Sequence, residues 1–187
     1  MAWLRAIVLW LASLFTPIPS PQPMPDPIPE PQNPIQEPPQ PTTREILYKE
    51  AKASLGVDWT PQDKIPDDVA CVDHLQAIYR KATGTYIGKG ASLYSTKGLL
   101  LVLKADPRFR PIPLAEILPG DILVAATGEG NDPADHGHCW IAGFTHCMSN
   151  TSFGPDKGKW IANYTLTEIV ADFVKRRGFK LHAFRPL

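Results

Sequence analysis

The chain has no surplus of charge of either sign. Its 187 residues carry 19 basic and 19 acidic side chains, for a formal net charge of zero. That balance argues against a nucleic-acid-binding surface spread over the molecule and against a solvating acidic tail. Cysteine is scarce, with three in all, an odd number, so no scheme of internal disulfides uses every thiol. The paired C-x2–4-C and H-x3–5-H spacings typical of structural zinc are missing in clean form. No uninterrupted apolar run reaches the ~20 residues that cross a bilayer comfortably, and no internal repeat is visible.

Proline, by contrast, is abundant and concentrated. Of 21 prolines, twelve fall among the 25 residues from Pro17 to Pro41, alternating strictly from Pro17 to Pro31. Proline fixes φ and removes the backbone donor, so neither helix nor sheet is expected there. The composition predicts an extended polyproline II arm, at ~3.1 Å per residue roughly 75 Å long. Residues 1–16, MAWLRAIVLWLASLFT, place Arg5 ahead of an apolar run from Ala6 to Phe15. Its length suits the core of an export signal, although no clean A-x-A cleavage site follows. The sequence therefore divides into a signal or membrane-anchor segment (1–16), a Pro-rich linker (17–41) and one domain (42–187). Such an order predicts an exported or membrane-anchored protein acting in the periplasm or at the cell wall.

Within the domain, Thr42-x-x-Glu45 has the form of a capping box, and Ile46, Leu47, Ala51 and Leu55 follow at helical spacing. Asp67 and Asp68 are candidate caps for a second helix, Val69 to about Ala82, closed by Gly84. Ser95 to Lys104 predicts a third. After Pro111 the pattern changes to strands: Ile122–Ala126, His138–Phe144, Cys147–Ser152 and Trp160–Tyr164. Thr165-x-x-Glu168 opens a last helix, and Leu181–Phe184 suggests an edge strand. Helices first and an antiparallel sheet after them is an α+β order.

The segment Asp135-His136-Gly137-His138-Cys139-Trp140-Ile141 concentrates the reactive side chains. Cys71 falls in the first turn of its predicted helix, where free N–H groups and the helix dipole favour a thiolate. Taken on position alone, a packed core cysteine on the stripe with Leu75 and Ile78 explains it slightly better. His138 opens a predicted strand beside a Gly/Asn/Asp/Pro loop, a place from which an imidazole can reach a cleft. If the hairpin turns around Gly143-Phe144-Thr145 with Cys139 opposite Cys147, period-two alternation puts His138 and Asn150 on one face. The Asn150 carbonyl could then fix the imidazole tautomer. That register also brings Cys139 and Cys147 together, as a disulfide or as buried thiols. His146 is the rival third group.

These residues carry a family resemblance. Asp67-Asp68-Val69-Ala70-Cys71-Val72, the turn Leu118-Pro119-Gly120-Asp121 with its strand, and Gly137-His138-Cys139-Trp140-Ile141 together resemble the papain-like NlpC/P60 and CHAP peptidoglycan hydrolases. Met148–Ser152, Trp160 and Asn163-Tyr164-Thr165 look like a phage-associated branch. Cys139 and Trp140 depart from the usual small or aliphatic residues after the histidine. The resemblance implies a papain-like α+β fold, N-terminal helices packed on a small antiparallel sheet, and a cysteine endopeptidase or amidase cleaving amide bonds of peptidoglycan. In that scheme Cys71, His138 and Asn150 are catalytic, while Asp68, His136 and Trp140 contact substrate. A phage lysis protein and a bacterial wall-remodelling enzyme both suit it. It implies no metal or organic cofactor, no nucleic-acid partner, and action as a monomer on peptidoglycan or its peptides.

Two other classes compete. A zinc hydrolase could use His136 and His138 with Asp135 or Asp132. A tethered wall-binding module could keep the fold without the chemistry. His74, one turn after Cys71, is expected to be a satisfied histidine, and His182 a structural one.

Overall fold

The Thr42-x-x-Glu45 pattern folds as a reciprocal cap. The Glu45 N–H donates to Thr42 Oγ1 (3.3 Å) and the Thr42 N–H to Glu45 Oε2 (2.9 Å), which starts α1, Thr43–Ala53. The computed structural model describes residues 40–60, 66–67, 69–88 and 95–187. The expected leader and nearly all of the Pro-rich arm lie outside the described residues, as does Asp68. Residues from Pro39 to Leu187 form one compact unit. Among the described residues no helix is long and apolar enough to cross a membrane.

The second helix, α2, spans Cys71–Thr83. It begins two residues later than its apolar spacing suggests, because the N-cap is Ala70 and no side chain caps it. Asp67 therefore does not serve as the expected cap. Gly84, at φ +77°, closes the helix through its N–H to the Arg80 carbonyl (2.7 Å), a left-handed conformation that only glycine adopts without cost. Ser95 caps α3, Thr96–Ala105, by accepting from the Gly98 N–H (3.0 Å).

Six strands follow: β1 (Phe109–Pro111), β2 (Ile122–Ala125), β3 (His138–Ile141), β4 (Cys147–Asn150), β5 (Trp160–Tyr164) and β6 (Leu181–Pro186). They form one antiparallel sheet in the order β1-β6-β2-β3-β4-β5, so the mixed α+β class expected from the sequence is the class observed. The last strand is not an edge. It lies between β1 and β2, and the outer place goes to the three-residue β1, whose closing Pro111 lacks the N–H an inner strand needs.

Both faces of the sheet are covered. Ile122, Val124, Cys139, Ile141 and Met148 join Leu47, Leu75, Leu99 and other residues of α1–α3 in one core. Leu123, Ala125, Trp140 and Ala142 face the opposite way. They pack on Ile169 and Phe173 from the last helix. That helix, α4, begins at Leu166–Ile169 and runs into a wider coil, Val170–Arg176, in which hydrogen bonds reach five residues back, as from the Arg177 N–H to the Asp172 carbonyl (3.0 Å).

The Pro119-Gly120-Asp121 turn is a structural clamp. Gly120 sits at φ +95° with the Arg44 carbonyl oxygen only 2.1 Å from where a Cβ would lie. Asp121 is fully buried. Its carboxylate accepts from the Leu118 N–H (2.7 Å) and from Arg185 Nε and Nη2 (3.0 and 2.8 Å) on β6.

Candidate active site

Antiparallel pairing brings the first residue of β3, His138, and the last residue of β4, Asn150, to one end of the sheet. There they share the wall of a cavity of about 480 Å3. The rest of the wall comes from His136 and Gly137, from the β4–β5 connection at Thr151–Phe153, from Asn163 and Tyr164 of β5, and from Asp172, Phe173, Arg176 and Arg177 on or just after the last helix. Gly137 belongs there for a steric reason. A Cβ would lie 2.2 Å from the Ala125 carbonyl oxygen and 2.3 Å from Thr96 Oγ1. Its N–H donates to Thr127 Oγ1 (3.0 Å), so the chain enters His138 pressed against the end of β2.

Cys71 is the first residue of α2 and only 4% exposed. Its thiol is held well below the ordinary range, chiefly by the Cys139 thiol donating to it. Burial opposes this, while the charge of His138 and a hydrogen bond from its ring assist. Cys71 also stands at the N-terminus of α2, which carries no capping side chain, and the positive end of a helix dipole favours a negative charge at such a position. Cys139 moves the opposite way, well above a free thiol, through its own burial and the negative charges of Cys71 and Asp73. Cys71 is not itself a wall of the cavity that His138 and Asn150 line.

Asn150 is placed differently from expectation. Its amide Nδ2 donates to the Asp67 carbonyl (2.7 Å), tying β4 to the chain that leads into α2. Its Oδ1 is buried and has no hydrogen-bond partner, so it does not bond to the imidazole in this state. The hairpin register explains why. Ile141, not Cys139, stands opposite the residue beside Cys147: the pair is Ile141–Met148, three residues away from the Cys139–Cys147 register. An odd shift exchanges faces. Asn150 consequently lies on the α2 side with Met148, while His138 lies on the Trp140 side and meets it only across the end of the sheet.

The same shift corrects the cysteine pairing. Cys139 packs in the core beneath α2, Cys147 in the core on the other face, and all three cysteines are free thiols. Trp140, expected at the substrate face, is fully buried. Its ring instead meets that of His138 edge-on, with centroids 4.7 Å apart. His136 does line the cavity, and Asp68 lies outside the described residues. His146, the rival third group, is exposed on the β3–β4 connection, bonded to Thr145 Oγ1 (3.2 Å) and away from the cavity.

His74 is a satisfied core histidine: Nδ1–H donates to the Ala70 carbonyl (3.0 Å), and Nε2 accepts from the Trp59 N–H (3.3 Å). His182 pairs with Glu129 (2.8 Å). Among the described residues no three histidine, cysteine or carboxylate side chains converge so as to hold a metal ion.

The chain matches no known protein-family model, no curated protein and no solved structure.

Three features of the site escape sequence reasoning. The Cys71–Cys139 contact needs the register of α2 on β3. Phe173 stacks on His138, and Arg177 on Phe173, only because the last helix covers the far face of the sheet. The one signal available beforehand was the amphipathic run Ile169, Val170, Phe173 and Val174, which promised burial without saying against what.

Proposed function

We propose that this domain is a papain-like cysteine hydrolase that cleaves an amide bond in peptidoglycan. The observation that carries the reading is a single one: a thiol of depressed pKa, at an uncapped helix start, in contact with an imidazole that lines a cavity. A nucleophilic thiolate requires such surroundings.

The chemistry follows from the positions. Cys71 attacks the amide carbonyl as thiolate, and His138 holds the proton as imidazolium. The N–H groups at the start of α2 receive the developing oxyanion. His138 then protonates the leaving amine, and a water activated by the same ring releases the acyl group from sulfur. Asn150 Oδ1, buried with no partner, is the acceptor toward which an imidazole N–H turns when substrate is bound. Catalytic hydrogen bonds of this kind commonly tighten only in the complex. The cavity wall carries amide and hydroxyl groups, imidazoles, the charged Asp172, Arg176 and Arg177, and an exposed Phe153, a mixture able to hold a polar, amide-bearing peptide with charged ends. A leader and proline arm ahead of such a domain would hold it within reach of the cell wall.

The test uses the full chain with purified muropeptides and reads products by mass. Wild-type protein should release a peptide or a free amine, and Cys71→Ala should lose turnover while still binding wall fragments. Equal product release from both proteins, or none from wild type, removes the hydrolase and leaves the wall-binding module.

A further inference from the structure

His138 makes no hydrogen bond to Asn150, yet its ring is held on several sides. Trp140 meets it edge-on, and Phe173 lies nearly parallel to it, at 22° with centroids 6.0 Å apart. Trp140 and Phe173 in turn touch each other edge-on at 4.7 Å. Behind this aromatic group lies one cation. The Arg177 guanidinium stands 4.6 Å from the Phe173 centroid and 5.0 Å from that of Phe179. Its Nη2 donates to Asp135 Oδ1 (3.1 Å) and to the His136 carbonyl (2.9 Å). Arg177 thus holds the two residues that precede Gly137-His138 and, with the same planar group, covers the ring that faces the imidazole.

We infer that Arg177, acting through Phe173 and the Asp135–His136 backbone, is a positioning residue that fixes the rotamer of His138 toward Cys71. Geometry favours Arg for this task. A guanidinium forks to two acceptors while stacking on an aromatic face, and an ammonium cannot do both. The wide helical turn that delivers Phe173 and Arg177 is a feature often found at functional sites. The inference rests on His138 serving as the base for Cys71, but it is separable from the identity of the substrate.

The experiment compares wild type with Arg177→Lys, Arg177→Met, Phe173→Leu and Asp135→Asn in the full chain. Three readouts are taken: the rate of Cys71 alkylation by iodoacetamide at neutral pH, the ring 15N shifts of His138, and kcat and KM on muropeptides. Because a misplacement of about 1 Å can cost on the order of a hundredfold, kcat should fall by about tenfold or more in Arg177→Met and Phe173→Leu. KM should be nearly unchanged, Cys71 alkylation slower and the His138 resonances shifted. Asp135→Asn, the mildest change at a part-exposed position, should fold normally and show a smaller effect of the same kind. A rise in KM with kcat and alkylation unchanged would make Arg177 a substrate contact and overturn the inference. So would wild-type alkylation and unshifted His138 resonances in folded Arg177→Lys and Asp135→Asn. If wild type turns over no muropeptide while the variants still slow alkylation and move His138, the positioning role stands and the hydrolase reading fails.

Discussion

Between Cys71 and Cys139 one hydrogen bond acts in two directions, lowering the first thiol's pKa and raising the second's. Cys139→Ala removes the donor, so the Cys71 pKa rises and its thiolate fraction at a given pH drops. Alkylation near neutral pH should slow measurably in that variant, and Cys139→Ser, which keeps a donor, should recover most of the rate. Cys147 supplies an internal control. Burial pushes its thiol up to about 11, and it lies in the other core, so it should stay unmodified until the solution is strongly alkaline. A time course mapped by peptide mass decides this. Early labelling of Cys147, or a Cys139→Ala protein that reacts as fast as wild type, would contradict the assignment. At this scale much was legible beforehand. A cysteine at a helix start and a histidine at a strand start are local facts, and local facts survive errors of register. The partner thiol was not legible, because its role depends on how two distant elements dock.

Elements were legible in proportion to their boundaries. Thr42-x-x-Glu45 and Thr165-x-x-Glu168 both close as reciprocal caps, since each needs only four residues to satisfy itself. Strand pairing is another matter. Every residue of β4 is buried, and so is every residue of β3 but His138. Alternation therefore carries no contrast between an inner and an outer face, and the pattern cannot select a register. The bulge between Cys147 and Met148 adds a shift that no hydropathy pattern announces. The turn ahead of β2 illustrates a different gap. Pro119-Gly120-Asp121 reads as a family mark, yet in the fold it joins α1 to β6 through Arg44 and Arg185. Removing one partner of a buried charge pair typically costs about 3–5 kcal/mol. Asp121→Ala should lose stability at the lower end of that range, because Arg185 retains some access to water, and Asp121→Asn should lose less. Chemical denaturation followed by fluorescence measures both. An unfolding free energy within about 0.5 kcal/mol of wild type, the ordinary scale of surface substitutions, would show that the clamp does not contribute.

On the scale of the molecule, a sheet with helices on both faces explains why the site draws on such distant parts of the chain. Cys71 comes from α2 on one side, Phe173 and Arg177 from the last helix on the other, and His138 lies between them at the start of β3. The α+β class was legible from the order of elements. The second covering layer was not, because a single short helix late in the chain does not reveal which face it will cover. Placing β6 between β1 and β2 makes the last strand an inner member of the sheet. A chain ending at Lys180 should lose the partner of β1 and of Asp121 together, and show neither near-UV circular dichroism nor a cooperative melt. A native-like spectrum from that truncated chain would refute the dependence.

That placement bears on synthesis. β1 is made well before β6, the strand it pairs with, so that edge of the sheet can form only after Leu181–Pro186 has emerged from the ribosome.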